Sequence, residues 1–131
     1  MYKPFDFLGA NMKGHIILVS RNESLIATRL RGDFLRNAGY LTTYAESLGR
    51  AVALVGSLHP DLVILDSSYS EHEKTAFLDC IHESHLHIHV LCLQYGDARP
   101  DLLIKACVKI LSRQPGGRTV HTLQEFTVKS A

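Results

Sequence analysis

Polar residues follow three apolar runs of the sequence, and their types suit chemistry with phosphate or with a metal ion. The polar segments are Ser20-Arg21-Asn22, Asp66-Ser67-Ser68 and Gln94-Tyr95-Gly96. Asp66 supplies a carboxylate, whereas the guanidinium of Arg21 can pair with a carboxylate or a phosphate. These residues can act together only if the fold brings the ends of the three runs to one place.

A small anion is one ligand that these residues can bind. Arg21, Asn22 and Ser24 stand at the predicted start of a helix, where backbone N–H groups attract anions. Helix capping explains Asn22 and Ser24 equally well. The sequence has no glycine-rich phosphate loop. Anion binding therefore stays open as an alternative function.

Histidines and serines give two weaker patterns. Four of the eight histidines, His82, His85, His87 and His89, lie close together, and on a strand the last three share one face that can present imidazoles to a metal. No cysteine or carboxylate spacing completes a ligand set, and titration near neutral pH is a further interpretation. The serines after the apolar runs have no predictable histidine beside them. We therefore predict neither a metal site nor an enzyme.

Strands alternate with helices from residue 15 onward. Continuous apolar runs predict strands at 15–20, 41–44, 62–65 and 87–93, and apolar residues at helical spacing predict helices over 25–38, 48–58, 71–83 and 100–111. This alternation predicts a doubly wound parallel sheet in three α/β/α layers. In such sheets, sites form beyond the carboxyl ends of the strands. The three polar segments are predicted to lie there.

Composition narrows the class of protein. The 131 residues are 46% hydrophobic and 21% charged, and 14 Lys+Arg against 13 Asp+Glu leave a net charge of +1. This predicts one globular domain, with no basic cluster to bind nucleic acid. The apolar runs are too short to cross a membrane, and no signal peptide is predicted. Cys80, Cys92 and Cys107 suit reduced thiols, so we expect a cytoplasmic protein.

Three stretches resemble the receiver domain of bacterial two-component response regulators. They are Ile16-Ile17-Leu18-Val19, Leu30-Arg31-Gly32-Asp33-Phe34-Leu35-Arg36-Asn37-Ala38-Gly39-Tyr40 and Pro60-Asp61-Leu62-Val63-Ile64-Leu65-Asp66, within residues 14–94. The resemblance implies a flavodoxin-like fold and a part in phosphorelay signal transduction. By position, Asp66 matches the aspartate that accepts the phosphoryl group in that family.

The other residues of the family's site are different in this chain. Ser20 and Arg21 stand where an acidic pair holds Mg²⁺, Gln94 stands at the position of the switch Ser/Thr, and no Lys follows a fifth strand. Phosphoryl transfer depends on cations that neutralise the equatorial oxygens. We therefore expect no cofactor and weak Mg²⁺ binding. Arg21 either replaces the metal charge or forms an ion pair with Asp66 that locks the site.

The C-terminal third also differs from the family. There, a fourth helix and a fifth strand separate the fourth strand from the last helix, whereas here the segment 97–107 follows Leu93 at once and resembles the last helix. We predict that the fourth-helix and fifth-strand region is deleted or rebuilt. The tail at 118–128 is predicted to supply a replacement strand, either to this chain or to the exposed edge of a partner.

These observations lead to one predicted organisation and one leading function. The predicted parts are an N-terminal extension (1–14), a receiver-like domain (15–113) and a C-terminal tail (114–131). The leading hypothesis is a degenerate receiver-like domain that binds a protein partner, either a sensor kinase or a downstream signalling protein. A homodimer through the C-terminal region is expected. The alternative is a flavodoxin-like protein that binds a nucleotide or small anion.

Overall fold

Five strands alternate with five helices in the described part of the chain. The computed structural model describes residues 13–21, 25–83, 88–94, 100–112 and 119–127. In chain order the elements are β1 (Gly14–Val19), α1 (Leu25–Asn37), β2 (Tyr40–Ala45), α2 (Leu48–Leu58), β3 (Leu62–Leu65), α3 (Glu71–His82), β4 (His89–Cys92), α4 (Pro100–Leu111), β5 (Val120–Thr122) and α5 (Gln124–Thr127). Within the described residues, no helix is long and apolar enough to cross a membrane.

The strands form one parallel sheet in the order β2-β1-β3-β4-β5. This is the doubly wound order of flavodoxin-like proteins, and it confirms the predicted fold class. The direction of the chain along the sheet reverses between β1 and β3. Val19 of β1 pairs with Leu65 of β3, so the residues that follow these two strands are neighbours.

Helices cover both faces of the sheet, as the continuous apolar strands require. Alternate residues of each strand point to opposite faces and enter two separate cores. One core packs under α1, α4 and α5, and the other packs under α2 and α3. We call these sides the α1 face and the α2 face.

Local sequence signals fix the helix ends. The Ser47 side chain accepts a hydrogen bond from the Arg50 N–H at the start of α2, and His59 ends that helix in a left-handed conformation before Pro60. Ser70 and Glu73 form a capping box at the start of α3, in which each side chain accepts a hydrogen bond from the other residue's backbone N–H. Both helices begin where the sequence predicts.

The helix α4 lies on the α1 face, although it connects β4 to β5. Leu103, Ala106, Cys107 and Ile110 are each no more than 2% exposed and pack into the core under α1. This face needs a second helix because the side chains of β3 and β4 that point to it are apolar and α1 lies over β1 and β2. Covering that surface contributes roughly 25 cal/mol per Å² of apolar area.

The position of α4 gives the last connection an unusual hand. The connection from β3 to β4 moves along the sheet in the same direction as that from β4 to β5, but α3 lies on the opposite face from α4. The β4-α4-β5 connection therefore has the opposite hand to the other three. Because nearly all such connections share one hand, burial of the α1 face outweighs this preference here.

These features decide between the alternatives predicted for the C-terminal third. The predicted replacement strand forms within the chain, because Val120–Thr122 of the tail pairs with β4 in the chain's own sheet. The region is rebuilt, since a helix on the α1 face now precedes this strand. The homodimer was expected because a missing strand would leave an open edge. That argument no longer holds, and the homodimer stays a prediction.

A substitution in α4 tests its packing. Ile110→Ala removes a side chain that is fully buried, so we expect a loss of about 2–5 kcal/mol in the free energy of unfolding. Val108→Ala on the same helix, at a side chain 46% exposed, should change it by less than about 0.5 kcal/mol. Urea unfolding measures both. Equal effects would contradict the assigned packing.

Candidate functional site

The candidate site lies at the carboxyl ends of β1 and β3. The ladder between these strands continues one step beyond them, because the Asp66 N–H donates to the Val19 carbonyl at 3.0 Å. Ser20 and Asp66 are therefore adjacent, and each is only 4% exposed. The sequence prediction that these two residues meet at one edge of the sheet is confirmed.

The Asp66 carboxylate accepts hydrogen bonds at both of its oxygens. Ser20 Oγ donates to Oδ2 at 3.0 Å, and the Ser68 N–H donates to Oδ1 at 2.7 Å. The second bond is the local turn that aspartate forms with the backbone two residues later. Ser20 has one hydroxyl proton, and its oxygen also lies 3.0 Å from the Arg21 carbonyl. Bonds to a charged group contribute about 1.5–3 kcal/mol each.

A second helix supplies the positive charge beside Asp66. Arg31 of α1 places Nη1 3.8 Å from Asp66 Oδ2, which is an ion-pair distance but too long for a hydrogen bond. The two side chains are 20% and 5% exposed, so their attraction is less screened than that of a surface pair. Both line an open crevice of about 150 Å³, together with Leu18, Val19, Ile64 and Leu93.

Arg21 is engaged by a different carboxylate. Its Nη2 lies 2.5 Å from both Glu73 Oε1 and Oε2, and its guanidinium carbon stands 4.6 Å from the centre of the Tyr69 ring. The predicted ion pair between Arg21 and Asp66 is therefore wrong. Two pairs replace it, Arg21 with Glu73 and Arg31 with Asp66, because the start of α3 brings Glu73 to this edge.

The surroundings of Glu73 favour its ionised form. The Ser70 N–H donates to Glu73 Oε1 at 2.9 Å, and Arg21 donates to the same carboxylate. These contacts lower the pKa of Glu73 below its usual range. The backbone hydrogen bond from Ser70 has the largest effect, and the hydrogen bond from Arg21 has the next largest. Glu73 therefore joins the cap of α3 to the end of β1 through Arg21.

Two residues of the site, Arg31 and Glu73, were not identified from the sequence. Arg31 lies one helical turn before the buried Leu35, which is a spacing that points it inward. Glu73 completes a Ser-x-x-Glu capping box, which is readable in the sequence. The hydroxyl of Ser68 is buried and has no hydrogen-bond partner, and nothing in the sequence indicates this.

The other predicted site residues have different outcomes. Gln94, at the position of the switch Ser/Thr, lies two residues beyond β4 at the same edge and is exposed. Asn22 and Ser24, two of the three predicted anion contacts, lie outside the described residues. Arg21, the third, is paired with Glu73.

The donor set does not fit Mg²⁺, the ion that the resemblance to receiver domains implies. Mg²⁺ prefers one or two carboxylates together with retained waters. Here a hydroxyl and a guanidinium stand at the positions of the acidic pair. Asp66 is the carboxylate at the end of β3, and both of its oxygens already accept hydrogen bonds. Arg31 already supplies positive charge beside Asp66.

Two of the clustered histidines contact residues of the C-terminal segment. His89 Nδ1 lies 3.1 Å from Nε2 of the fully buried His121, whose Nδ1 is 3.4 Å from Glu125 Oε1. His82 Nε2 lies 3.3 Å from Thr119 Oγ1. His85 and His87 lie outside the described residues. In the part of the chain that is described, no three His, Cys, Asp or Glu side chains form a group able to hold a metal ion.

Known structures share this fold. The receiver domain of NtrX from Brucella abortus is 21% identical, and the match covers 76% of this chain and 99% of that chain with a TM-score of 0.64. The chemotaxis protein CheY4 of Vibrio cholerae is 16% identical over 73% of this chain and 97% of that chain, with a TM-score of 0.63. A CheY-like receiver domain protein from Methanospirillum hungatei is 17% identical over 73% and 92%, with a TM-score of 0.61.

At this level of identity the matches establish the fold. No protein-family model matches the sequence, and a comparison with curated proteins finds no match. The chain therefore has the five-stranded parallel α/β fold of response-regulator receiver domains, as the resemblance implied. Its activity has to be argued from its own residues.

Acid titration tests the bond between Glu73 and Arg21. Because the folded state lowers the pKa of Glu73, the ionised side chain stabilises the fold at neutral pH, and this contribution is lost as the pH falls below the ordinary value of 4.5. Glu73→Gln should reduce the loss of stability in that acidic range. Glu71→Gln, on the same helical turn but 90% exposed at its side chain, is the matched control. Identical urea midpoints against pH for both variants would contradict this role.

Proposed function

We propose that this chain is a degenerate receiver-like signalling domain of two-component systems, which acts by binding a protein partner rather than by catalysis. In this proposal Asp66 holds the site together and is not modified. The observation that carries it is the burial of the Asp66 carboxylate, with both oxygens accepting hydrogen bonds from the protein.

The state of Asp66 supports a function without phosphorylation. To accept a phosphoryl group, a carboxylate oxygen must reach the donor, and cations must neutralise the charge that develops. Asp66 is 4% exposed, and modification would break the bond from Ser20 or from the Ser68 backbone. These contacts oppose the change that activates an ordinary receiver.

The size of the crevice argues against the nucleotide-binding alternative. Ligand pockets for molecules of that size usually enclose about 300–1,000 Å³. The crevice beside Asp66 is open rather than enclosed, because its volume of about 150 Å³ includes open solvent. In its wall the charge of Arg31 is paired with Asp66, and Arg21 is held by Glu73. A protein surface therefore suits the function better than a small-molecule site does.

A phosphodonor experiment tests the proposal directly. The folded protein is incubated with Mg²⁺ and acetyl phosphate, and its intact mass is measured beside that of Asp66→Ala. We expect no phosphoryl adduct in either protein, because the carboxylate is buried and its surroundings do not fit Mg²⁺. A base-labile adduct that forms on the natural chain and is missing from Asp66→Ala would overturn the proposal.

A variant designed to gain Mg²⁺ binding also tests the proposal. Ser20→Asp together with Arg21→Asp restores two carboxylates beside Asp66, so the variant should bind Mg²⁺ saturably in a calorimetric titration. The natural chain should show no such binding. Arg21→Asp alone, which removes the same guanidinium but adds one carboxylate, is the intermediate control. Circular dichroism establishes that each variant is folded, and equal Mg²⁺ binding by the natural chain would contradict the proposal.

A further inference from the structure

Two histidines and a carboxylate connect the C-terminal segment to the sheet. His89 Nδ1, at the start of β4, lies 3.1 Å from His121 Nε2 of β5, and His121 Nδ1 lies 3.4 Å from Glu125 Oε1 of α5. The Thr122 N–H donates to the other oxygen of Glu125 at 3.0 Å and so orients this carboxylate. His121 is fully buried, whereas His89 is half-buried. We call His89 and His121 the histidine pair.

The gap between the two imidazoles has room for one hydrogen. When Glu125 is ionised, His121 carries a hydrogen on Nδ1 that faces the carboxylate, so neutral His121 accepts at Nε2 and His89 donates from Nδ1. One added proton makes His121 an imidazolium, which donates to both neighbours and is balanced by Glu125. A second added proton would place hydrogens on both facing nitrogens, and a separation of 3.1 Å is too short for two. The closed structure therefore takes up one proton but not two.

Other titratable side chains of the packed elements do not change this proton count. On α4 the charged side chains among the described residues are all exposed: Asp101, Lys105 and Lys109. Cys107 of α4 lies in the core, and burial raises its pKa to about 12, so the thiol stays neutral. His82, at the end of α3, contacts Thr119 Oγ1 at 3.3 Å. Glu125 is the carboxylate that balances the first proton on the pair.

The C-terminal segment is built so that it can open locally. β5 has three residues and lies at the edge of the sheet, where it pairs with β4. Leu123 and Phe126 follow it into the core under α1. Short elements at an edge open at a lower free energy than central strands do. Opening exposes both histidines to water, where each takes up a proton near about pH 6.5.

We propose that the histidine pair is a pH switch, which keeps the C-terminal segment (residues 119–127) closed near neutral pH and opens it on acidification. The open state binds two protons on the pair and the closed state binds one. Opening therefore takes up one proton, and below about pH 6 it becomes up to about tenfold more favourable per pH unit. The open state exposes the edge of β4 and the core side chains that Leu123 and Phe126 cover. This inference goes beyond the proposed function and does not depend on the state of Asp66.

Amide hydrogen exchange measured by mass spectrometry detects this opening. The exchange rate of the segment 119–127 is compared with that of β1 in the full-length chain, after correction for the intrinsic effect of pH on exchange. In the natural chain, the corrected rate of the segment should rise about five- to tenfold between about pH 6 and pH 5. The corrected rate of β1 should stay constant over the same range.

Two variants should change this response in different ways. His89→Asn keeps an N–H donor toward His121 but cannot take up a proton, so the rise between about pH 6 and pH 5 should fall below about twofold. Glu125→Gln removes the charge that balances the first proton, so exchange should already rise between about pH 7 and pH 6. His82→Gln, which keeps a donor toward Thr119 in the same segment, is the matched control and should respond as the natural chain does.

Three results would overturn the proposal. One is a response of His89→Asn equal to that of the natural chain, and another is an equal rise in β1, which would mean that the whole domain unfolds. If His89→Asn opens the segment already at neutral pH, an NMR titration of the imidazoles in the natural chain decides. The pair should then titrate in two separate steps, with opening at the second. Two independent titrations near about pH 6.5 would be the third contrary result.

Discussion

The parallel pairing of β1 with β3 is the constraint on which the rest of this structure depends. These strands are the centre of the sheet, and all the residues of β3 are buried. Their register aligns Val19 with Leu65, so the next residues, Ser20 and Asp66, have to meet at the edge. A carboxylate forced into a buried position costs several kcal/mol unless the protein satisfies it. The surrounding residues are arranged to meet that requirement.

Two arginines at this edge come from different parts of the fold and pair with different carboxylates. Arg31 comes from α1 and balances Asp66, whereas Arg21 follows β1 and pairs with Glu73 at the start of α3. Each guanidinium has a carboxylate of its own, so the edge carries no excess charge from these four groups. Receiver domains, as the resemblance describes them, balance an acidic site with Mg²⁺. Here the arginine side chains supply the balancing charge.

The sequence was sufficient for the sheet and for the position of Asp66, because both depend on local patterns. An apolar run such as Leu62–Leu65 fits only a buried strand, and the residue after it must lie at the carboxyl edge. The choice between Arg21 and Arg31 as partner of Asp66 depends instead on how α1 and α3 pack. The spacing of residues along the chain does not show which side chains of different helices and strands can contact each other. Glu73 was within reach of prediction, since its capping box is a local signal.

The face on which α4 packs was harder to predict, because two preferences conflict there. The hand of β-α-β connections favours the α2 face, whereas the uncovered apolar residues of β3 and β4 favour the α1 face. The second preference is stronger, since leaving side chains such as Leu91 and Leu93 exposed would cost about 1.5–3 kcal/mol each. The same packing leaves Leu30 and Phe34 of α1 largely exposed. The rebuilt C-terminal third thus completes the core on the α1 face with a helix from a different part of the chain.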